Sequence, residues 1–346
     1  MKNKRTQLIV RIGLALGTVI SLWFVPWVLF LAWLTPISDT IQEELNKALS
    51  HDFEGIIVYV DKAGQAPGFY AAGWHDRDKK IPADPKALFK IASIGKLYEA
   101  VTIAKLVNDN RLSLDESLGN YLPELVGRIE NAEKITLRML VQHRSGIPNY
   151  TNSPNFWMDP PTNGQESLDL ILDQAANFEP GEDYEYSNTN YLLLSQIKER
   201  VLEISNFQCI REEILNPLGL KNTFASIQDV NIEKLMSGYY KGVPEDIKEV
   251  NYGSMVATAE DVAVFLRALN DGSLFEPGGQ EVYSSIYKYE HTGLIPGYQS
   301  IAKYHPDIDA VVVQFINTTD FDGYHWSLSE IVYNRIIKII THNEED

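Results

Sequence analysis

One cysteine, Cys209, occurs in 346 residues. A lone thiol excludes an internal disulfide framework and any cysteine-based zinc site. Basic residues are also scarce: 30 Lys and Arg stand against 47 Asp and Glu, a net charge of −17. Nucleic acid is excluded as a partner, because phosphate binding needs a basic stripe or patch. No Gly-x-Ser-x-Gly turn and no His-Glu-x-x-His helix occurs, which weighs against an α/β-hydrolase elbow and the usual zinc-peptidase site. Neither of the two glycine-rich phosphate-binding fingerprints is present. The seven histidines are scattered, without metal-ligand spacing. No metal and no cofactor is expected. What remains, with 45% apolar and 22% charged residues, is an ordinary folded protein.

The charge is uneven. Residues 1–38 carry Lys2, Lys4, Arg5 and Arg11 and no acid, so subtracting those four from −17 leaves −21 on residues 39–346. No charged side chain lies between Arg11 and Asp39. As one helix, Ile12–Leu34 would be about 35 Å long, enough for a bilayer core of about 30 Å. Positives on the N-terminal side place the N-terminus in the cytoplasm and the remainder outside it. The run therefore reads as a membrane anchor. The alternative is a cleaved signal peptide, which has a shorter apolar region and a small-residue cleavage site; Leu34–Ser38 offers no such site.

Residues 39–346 show no repeat, low-complexity block or long linker. Asp39–Ser50 reads as an amphipathic helix, and Gly55–Val60 and Gly68–Trp74 as paired strands. Ala92–Asn108 is helical. Helices are expected at Ile135–Gln142, Leu168–Ala176, Thr189–Glu203, Gln208–Leu215 and Thr258–Asn270, the last with Thr258 as its cap. Ser285–Glu290, Tyr298–Tyr304 and Ala310–Ile316 read as strands, and Trp326–Ile340 as a closing helix. The expected fold is α/β of the α+β type. A mostly antiparallel sheet draws its strands from about 50–80 and 280–340, and an all-helical insert occupies about 110–270. The site belongs at the junction of sheet and insert.

Three short elements carry chemistry. Ser93-Ile94-Gly95-Lys96 at a helix start brings an amine towards a hydroxyl, because residues three apart share a helix face. Serine needs a base to become a nucleophile, and a helix start offers N–H groups to an oxyanion. The spacing alone is weak, since it recurs at Ser195–Lys198, Ser285–Lys288 and Ser300–Lys303. Ser195 is mid-helix, and the other two lie in strand patterns that point the side chains to opposite faces. Tyr186-Ser187-Asn188 precedes a helix; it suits proton relay and amide binding, or equally helix capping with a packed tyrosine. Tyr150-Thr151-Asn152 has the same spacing but sits in a polar loop with no helix after it. His291-Thr292-Gly293 closes a strand pattern, with Gly293 permitting close approach, or simply leads into the turn at Pro296-Gly297.

In this order the three elements resemble the serine β-lactamase and penicillin-binding-protein superfamily. The likeness is to the class C β-lactamase and D-Ala-D-Ala carboxypeptidase branch and its esterase members, and it covers about residues 45–340. It implies attack by Ser93, proton transfer by Lys96 and Tyr186, and substrate binding by Asn188, His291, Thr292 and Gly293. It also implies an oxyanion hole from the Ser93 and Leu294 N–H groups. His143 and Ser145 look like a dyad, but the resemblance makes that stretch structural. Leu294 departs from the hydroxyl or other small residue that often follows the third motif in penicillin-reactive members. The implied activity is cleavage of a D-Ala-D-Ala peptide, β-lactam or small ester through an acyl-serine. The alternatives are a sensor that does not turn over and an acyl or peptidyl transferase. The partners are a small-molecule or peptide substrate and, through the N-terminal helix, the membrane; no protein partner is inferable.

Overall fold

The structure is a computed structural model that describes residues 4–342. Among the described residues, eight helices have eight or more residues. They are α1 (Lys4–Trp23), α2 (Trp27–Leu34), α3 (Ile41–Ala48), α4 (Gly95–Asn108), α5 (Asn188–Leu202), α6 (Ala259–Asn270), α7 (Gly279–Ile286) and α8 (His325–His342). The main sheet has six strands: β1 (Gly55–Lys62), β2 (Gly68–Asp76), β3 (Ile81–Pro82), β4 (His291–Ile295), β5 (Tyr298–His305) and β6 (Ala310–Ile316). Their order is β3-β2-β1-β6-β5-β4, antiparallel throughout. The strands come from both chain ends, as expected.

The sheet is covered on both faces, which is why its central strands are unbroken apolar runs. Successive side chains point to opposite faces. On β1, Ile57 and Tyr59 enter the larger core with α4 and α6, while Ile56, Val58 and Val60 enter a second core with α3 and α8. Local chemistry sets the helix starts. Thr40 caps α3 by accepting from the Glu43 N–H, and Thr258 caps α6 by accepting from the Asp261 N–H.

Four expectations need correction. The apolar N-terminal run is two helices, because Pro26 lacks the N–H that would continue α1. The insert is not all-helical. It holds short strands at Thr223–Phe224, Tyr239–Tyr240 and Val256–Ala257, and Val256–Ala257 pairs with Phe89–Lys90 just ahead of Ser93. Ser285–Glu290 is not a strand: α7 runs to Ile286 and His291 begins β4. Burial of Gly279, Tyr283 and Ile286 at spacings of three and four explains α7, since so short an apolar run fits either element by pattern. Leu168–Ala176 is mostly non-helical. Its helix is Gly164–Asp169, started by Asn163 accepting from the Glu166 N–H.

The pairing at Phe89–Lys90 buries a lysine. Lys90 Nζ donates to the Val250 carbonyl at 2.8 Å and lies over the Tyr298 ring at 4.7 Å. Burial disfavours its charge and lowers its pKa to about 7. The unfolded chain therefore binds more protons between this value and the ordinary 10.5, so stability rises with pH across that window. Urea unfolding at pH 7 and pH 9.5 should show a stability gain in wild type relative to Lys90→Met, in which that contribution is absent. Parallel pH dependence in the two proteins would contradict the assignment.

Candidate active site

Ser93 sits on a sharp turn between the Phe89–Lys90 strand and α4. Ala92 has φ of +50°, a left-handed conformation that costs a non-glycine residue energy. Two buried serines hold the turn. Ser254 Oγ accepts from the Ala92 N–H at 2.8 Å, and Ser300 Oγ donates to the Ile91 carbonyl at 3.1 Å. Gly293 on β4 faces the same turn. A Cβ there would stand 2.5 Å from Ile91 O and 2.9 Å from Ala92 Cβ, so only glycine lets the strand approach.

Ser93 Oγ meets two proton carriers. Tyr186 Oη lies 2.7 Å away and Lys96 Nζ 3.3 Å away. Lys96 Nζ also donates to Asn188 Oδ1 at 2.8 Å. Asn188 is the first residue of α5, and its Nδ2 donates to Thr151 Oγ1 at 3.2 Å. Ser93, Lys96, Tyr186 and Asn188 therefore come together from two helix starts, as the sequence predicts.

His143 supports this cluster from behind. Its Nδ1 accepts from the Ser187 N–H at 3.1 Å, and its ring stacks on Tyr186 at 4.5 Å between centroids. Burial, then the positive charges of Lys96 and Lys288, push its pKa down to about 3, so it is a neutral acceptor. Ser145 bonds Asn190 Oδ1 at 2.7 Å, and the tempting dyad does not form.

His291 is buried at the start of β4, with Nε2 2.9 Å from Tyr287 Oη. Burial, followed by Lys288, pushes its pKa down to about 3 as well. The cavity over Ser93 is lined from this strand by Leu294 and Ile295, and His291, Thr292 and Gly293 are not among its lining residues. A glycine that must touch the nucleophile turn leaves no open space at its own position.

That cavity has a volume of about 570 Å³. Aromatic rings of Tyr150, Phe156, Trp157 and Tyr252 line it, and its one cationic lining residue is Lys96. Sequence reasoning set aside Tyr150-Thr151-Asn152 for want of a helix, yet Thr151 holds Asn188. It also missed Asn149, whose Oδ1 accepts from the Asn188 N–H at 3.0 Å, and the turn-holding roles of Ser254 and Ser300, since partners distant in sequence leave no local signal. The other three Ser-x-x-Lys copies do no such work. Lys198 bonds Glu99 and Thr102, Ser285 ends α7, and Lys303 pairs with Glu290. Among the described residues, no cluster of three or more His, Cys, Asp or Glu is placed to hold a metal.

Comparisons with known proteins identify the family and the fold. Residues 37–285 match the Beta-lactamase family model. The chain is 30% identical over 197 residues to Protein flp of Staphylococcus aureus (strain MW2), covering 54% of this chain and 39% of that protein. It thus spans well under half the length of that relative. The solved D-amino acid amidase from Ochrobactrum anthropi SV3 superposes with a TM-score of 0.78 at 24% identity, covering 88% of this chain and 98% of that one. A penicillin binding protein from Bacillus halodurans gives 0.73 at 20% identity, with coverage of 87% and 100%. EstCE1, a hydrolase with promiscuous acyltransferase activity, gives 0.67 at 18% identity, with coverage of 86% and 97%. These likenesses establish a shared fold. The family match covers the nucleophile turn, both helix starts and most of the body, and the chain therefore belongs to the beta-lactamase family of serine hydrolases.

Proposed function

We propose that this chain is a membrane-anchored hydrolase that cleaves neutral esters or amides outside the cytoplasm through an acyl-serine. The observation that carries the substrate class is the cavity lining. Aromatic rings line the cavity among uncharged amides and hydroxyls, Glu99 adds a negative charge, Leu294 follows the third motif, and the one lining cation, Lys96, is engaged with Ser93 and Asn188. A substrate carboxylate would be stripped of water there without a free counter-charge, at a cost of several kcal/mol. Carboxylate-bearing peptides and penicillins are therefore poor substrates. A D-amino acid amidase and a hydrolase with promiscuous acyltransferase activity on this fold support the class.

In the mechanism, Ser93 Oγ attacks the carbonyl carbon as its proton passes to Lys96 or Tyr186. The developing oxyanion takes the Ser93 and Leu294 N–H groups. The carbon–oxygen or carbon–nitrogen bond then breaks, and the relayed proton goes to the leaving group. Water repeats the attack and frees Ser93. Asn188 holds Lys96 and the substrate amide. His291, held by Tyr287, acts through β4, Thr292 follows it on the same strand, and Gly293 sets the strand's approach. Positioned acid–base groups contribute about 10²–10⁴-fold and each oxyanion donor about 10²–10³-fold.

The purified full chain should hydrolyse p-nitrophenyl esters or phenylalanine amide faster than D-Ala-D-Ala peptides or a chromogenic penicillin. Ser93→Ala should abolish turnover, and Tyr186→Phe should lower kcat by about 10²–10⁴-fold. Ester turnover that survives Ser93→Ala would overturn the assignment of the nucleophile. Amine or alcohol acceptors added to the same assay separate acyl transfer from hydrolysis.

Leu294→Thr tests the specificity argument. The hydroxyl supplies the missing polar contact, so acylation by a fluorescent penicillin should rise while turnover of apolar esters falls. Unchanged labelling with intact ester activity would contradict the role given to Leu294.

A further inference from the structure

The broken N-terminal run shows a second structural role. Within α1, the 18 residues Thr6–Trp23 make a helix of about 27 Å, long and apolar enough to cross a bilayer core with the Arg11 side chain reaching back to the N-terminal interface. The eight residues of α2, Trp-Val-Leu-Phe-Leu-Ala-Trp-Leu, are then surplus to the span. The break is sealed from within. Pro26 has no N–H to give the Leu22 carbonyl, and the Trp27 indole Nε1–H donates to it instead at 2.9 Å. Hydrocarbon requires such internal satisfaction, since lipid offers no hydrogen bonds.

The far end of α2 is clamped to the hydrolase. Leu29 and Ala32 join the second core, beside α3 and α8. Arg335 of α8 is 7% exposed. Its guanidinium donates to the Thr35 and Pro36 carbonyls, each at 2.7 Å, and pairs with the buried Glu44. The Ser38 N–H donates to the other Glu44 oxygen at 3.1 Å. Loss of the chain up to residue 36 would strip the buried guanidinium of two of its acceptors and leave it only Glu44. Residues 35–44 are therefore a built joint of the folded domain.

What α2 leaves uncovered is apolar. Trp27, Phe30, Leu31 and Leu34 share the helix face opposite Leu29 and Ala32, with exposures of 45%, 44%, 60% and 54%. This face continues directly from α1, and residues 1–38 hold no acid. The body, at −21, is repelled by anionic lipid, so its seating must come from apolar contact. The geometry points to α2 as an interfacial foot. Its outward face lies in the headgroup–acyl boundary of the bilayer that α1 crosses, and the Arg335 clamp holds the hydrolase against that surface in a fixed pose. Indole rings suit this depth, having an apolar body and one polar edge. This inference rests on α1 being a membrane span, as proposed above.

The test uses the full chain in phosphatidylethanolamine–phosphatidylglycerol nanodiscs. In a Cys209→Ala background, nitroxides are placed one at a time through Leu14→Cys, Leu31→Cys, Leu34→Cys and Ser50→Cys. Collision with oxygen and with a water-soluble nickel chelate reads depth. The label at 14 should be deep, those at 31 and 34 should share a shallow lipid depth, and that at 50 should be in water. Adding Arg335→Met should broaden the depths at 31 and 34 while 14 stays deep. Nickel exposure at 31 and 34 equal to that at 50, with 14 deep, overturns the foot and leaves the span. Shielding of 31 and 34 from both probes, with inter-copy spin coupling, assigns the face to a second copy and overturns the foot. Water exposure at 14 overturns the span itself.

Discussion

The approach of β4 to the nucleophile turn is the contact on which the site depends. Gly293 lies against Ile91 and Ala92, where a methyl group would not fit, and Ser300 on the neighbouring strand bonds the Ile91 carbonyl. Across the turn, Ser254 from the insert accepts from Ala92 N–H. The strained Ala92 is thus held between the sheet and the insert, and α4 starts one turn later with Ser93 and Lys96 facing the cavity. Strain at a functional site persists only where its surroundings over-determine it, and here two buried hydrogen bonds and one glycine do so.

The electrostatics follow from the same enclosure. His143 and His291 are buried and neutral, so each serves through hydrogen bonding without adding positive charge near Lys96. His143 accepts from the backbone at the start of α5 and stacks beneath Tyr186, which fixes Tyr186 against Ser93. The cavity above is aromatic where Tyr150, Phe156, Trp157 and Tyr252 face it. The charged side chains that line it are Lys96 and Glu99, and Lys96 is engaged with Ser93 and Asn188. The proposed preference for neutral substrates rests on this arrangement.

Much of this was legible in the residues. Alternation and apolar runs marked the strands at both chain ends, and the Thr258 cap gave the start of α6. The closeness of Lys96 to Ser93 is readable from one helix start, while their meeting with Tyr186 and Asn188 is implied only by the family resemblance. The rest depends on partners far apart in sequence. Ser254 and Ser300 look like ordinary loop and strand serines until the Ile91–Ala92 turn reaches them, 162 and 209 residues away in the chain. Thr151 was discounted because its loop lacked a helix, although its partner Asn188 supplies one. Ser285–Glu290 reads as a strand because six residues of mixed pattern fit both periods, whereas its first two residues end α7 and the rest lead into β4. Pro26 stood in plain sight within the apolar run, and its effect was outweighed by length.

The central claim is that Ser93, held on this turn, is the nucleophile. The most direct measurement is peptide mapping of the full chain after reaction with a fluorophosphonate, an acyl-centre mimic that stays on the attacking oxygen. A single adduct on the peptide containing Ser93, lost in Ser93→Ala and strongly slowed in Ser254→Ala, is the predicted result. An adduct on Ser145 or another serine, or no adduct on a folded and catalytically active chain, would contradict it.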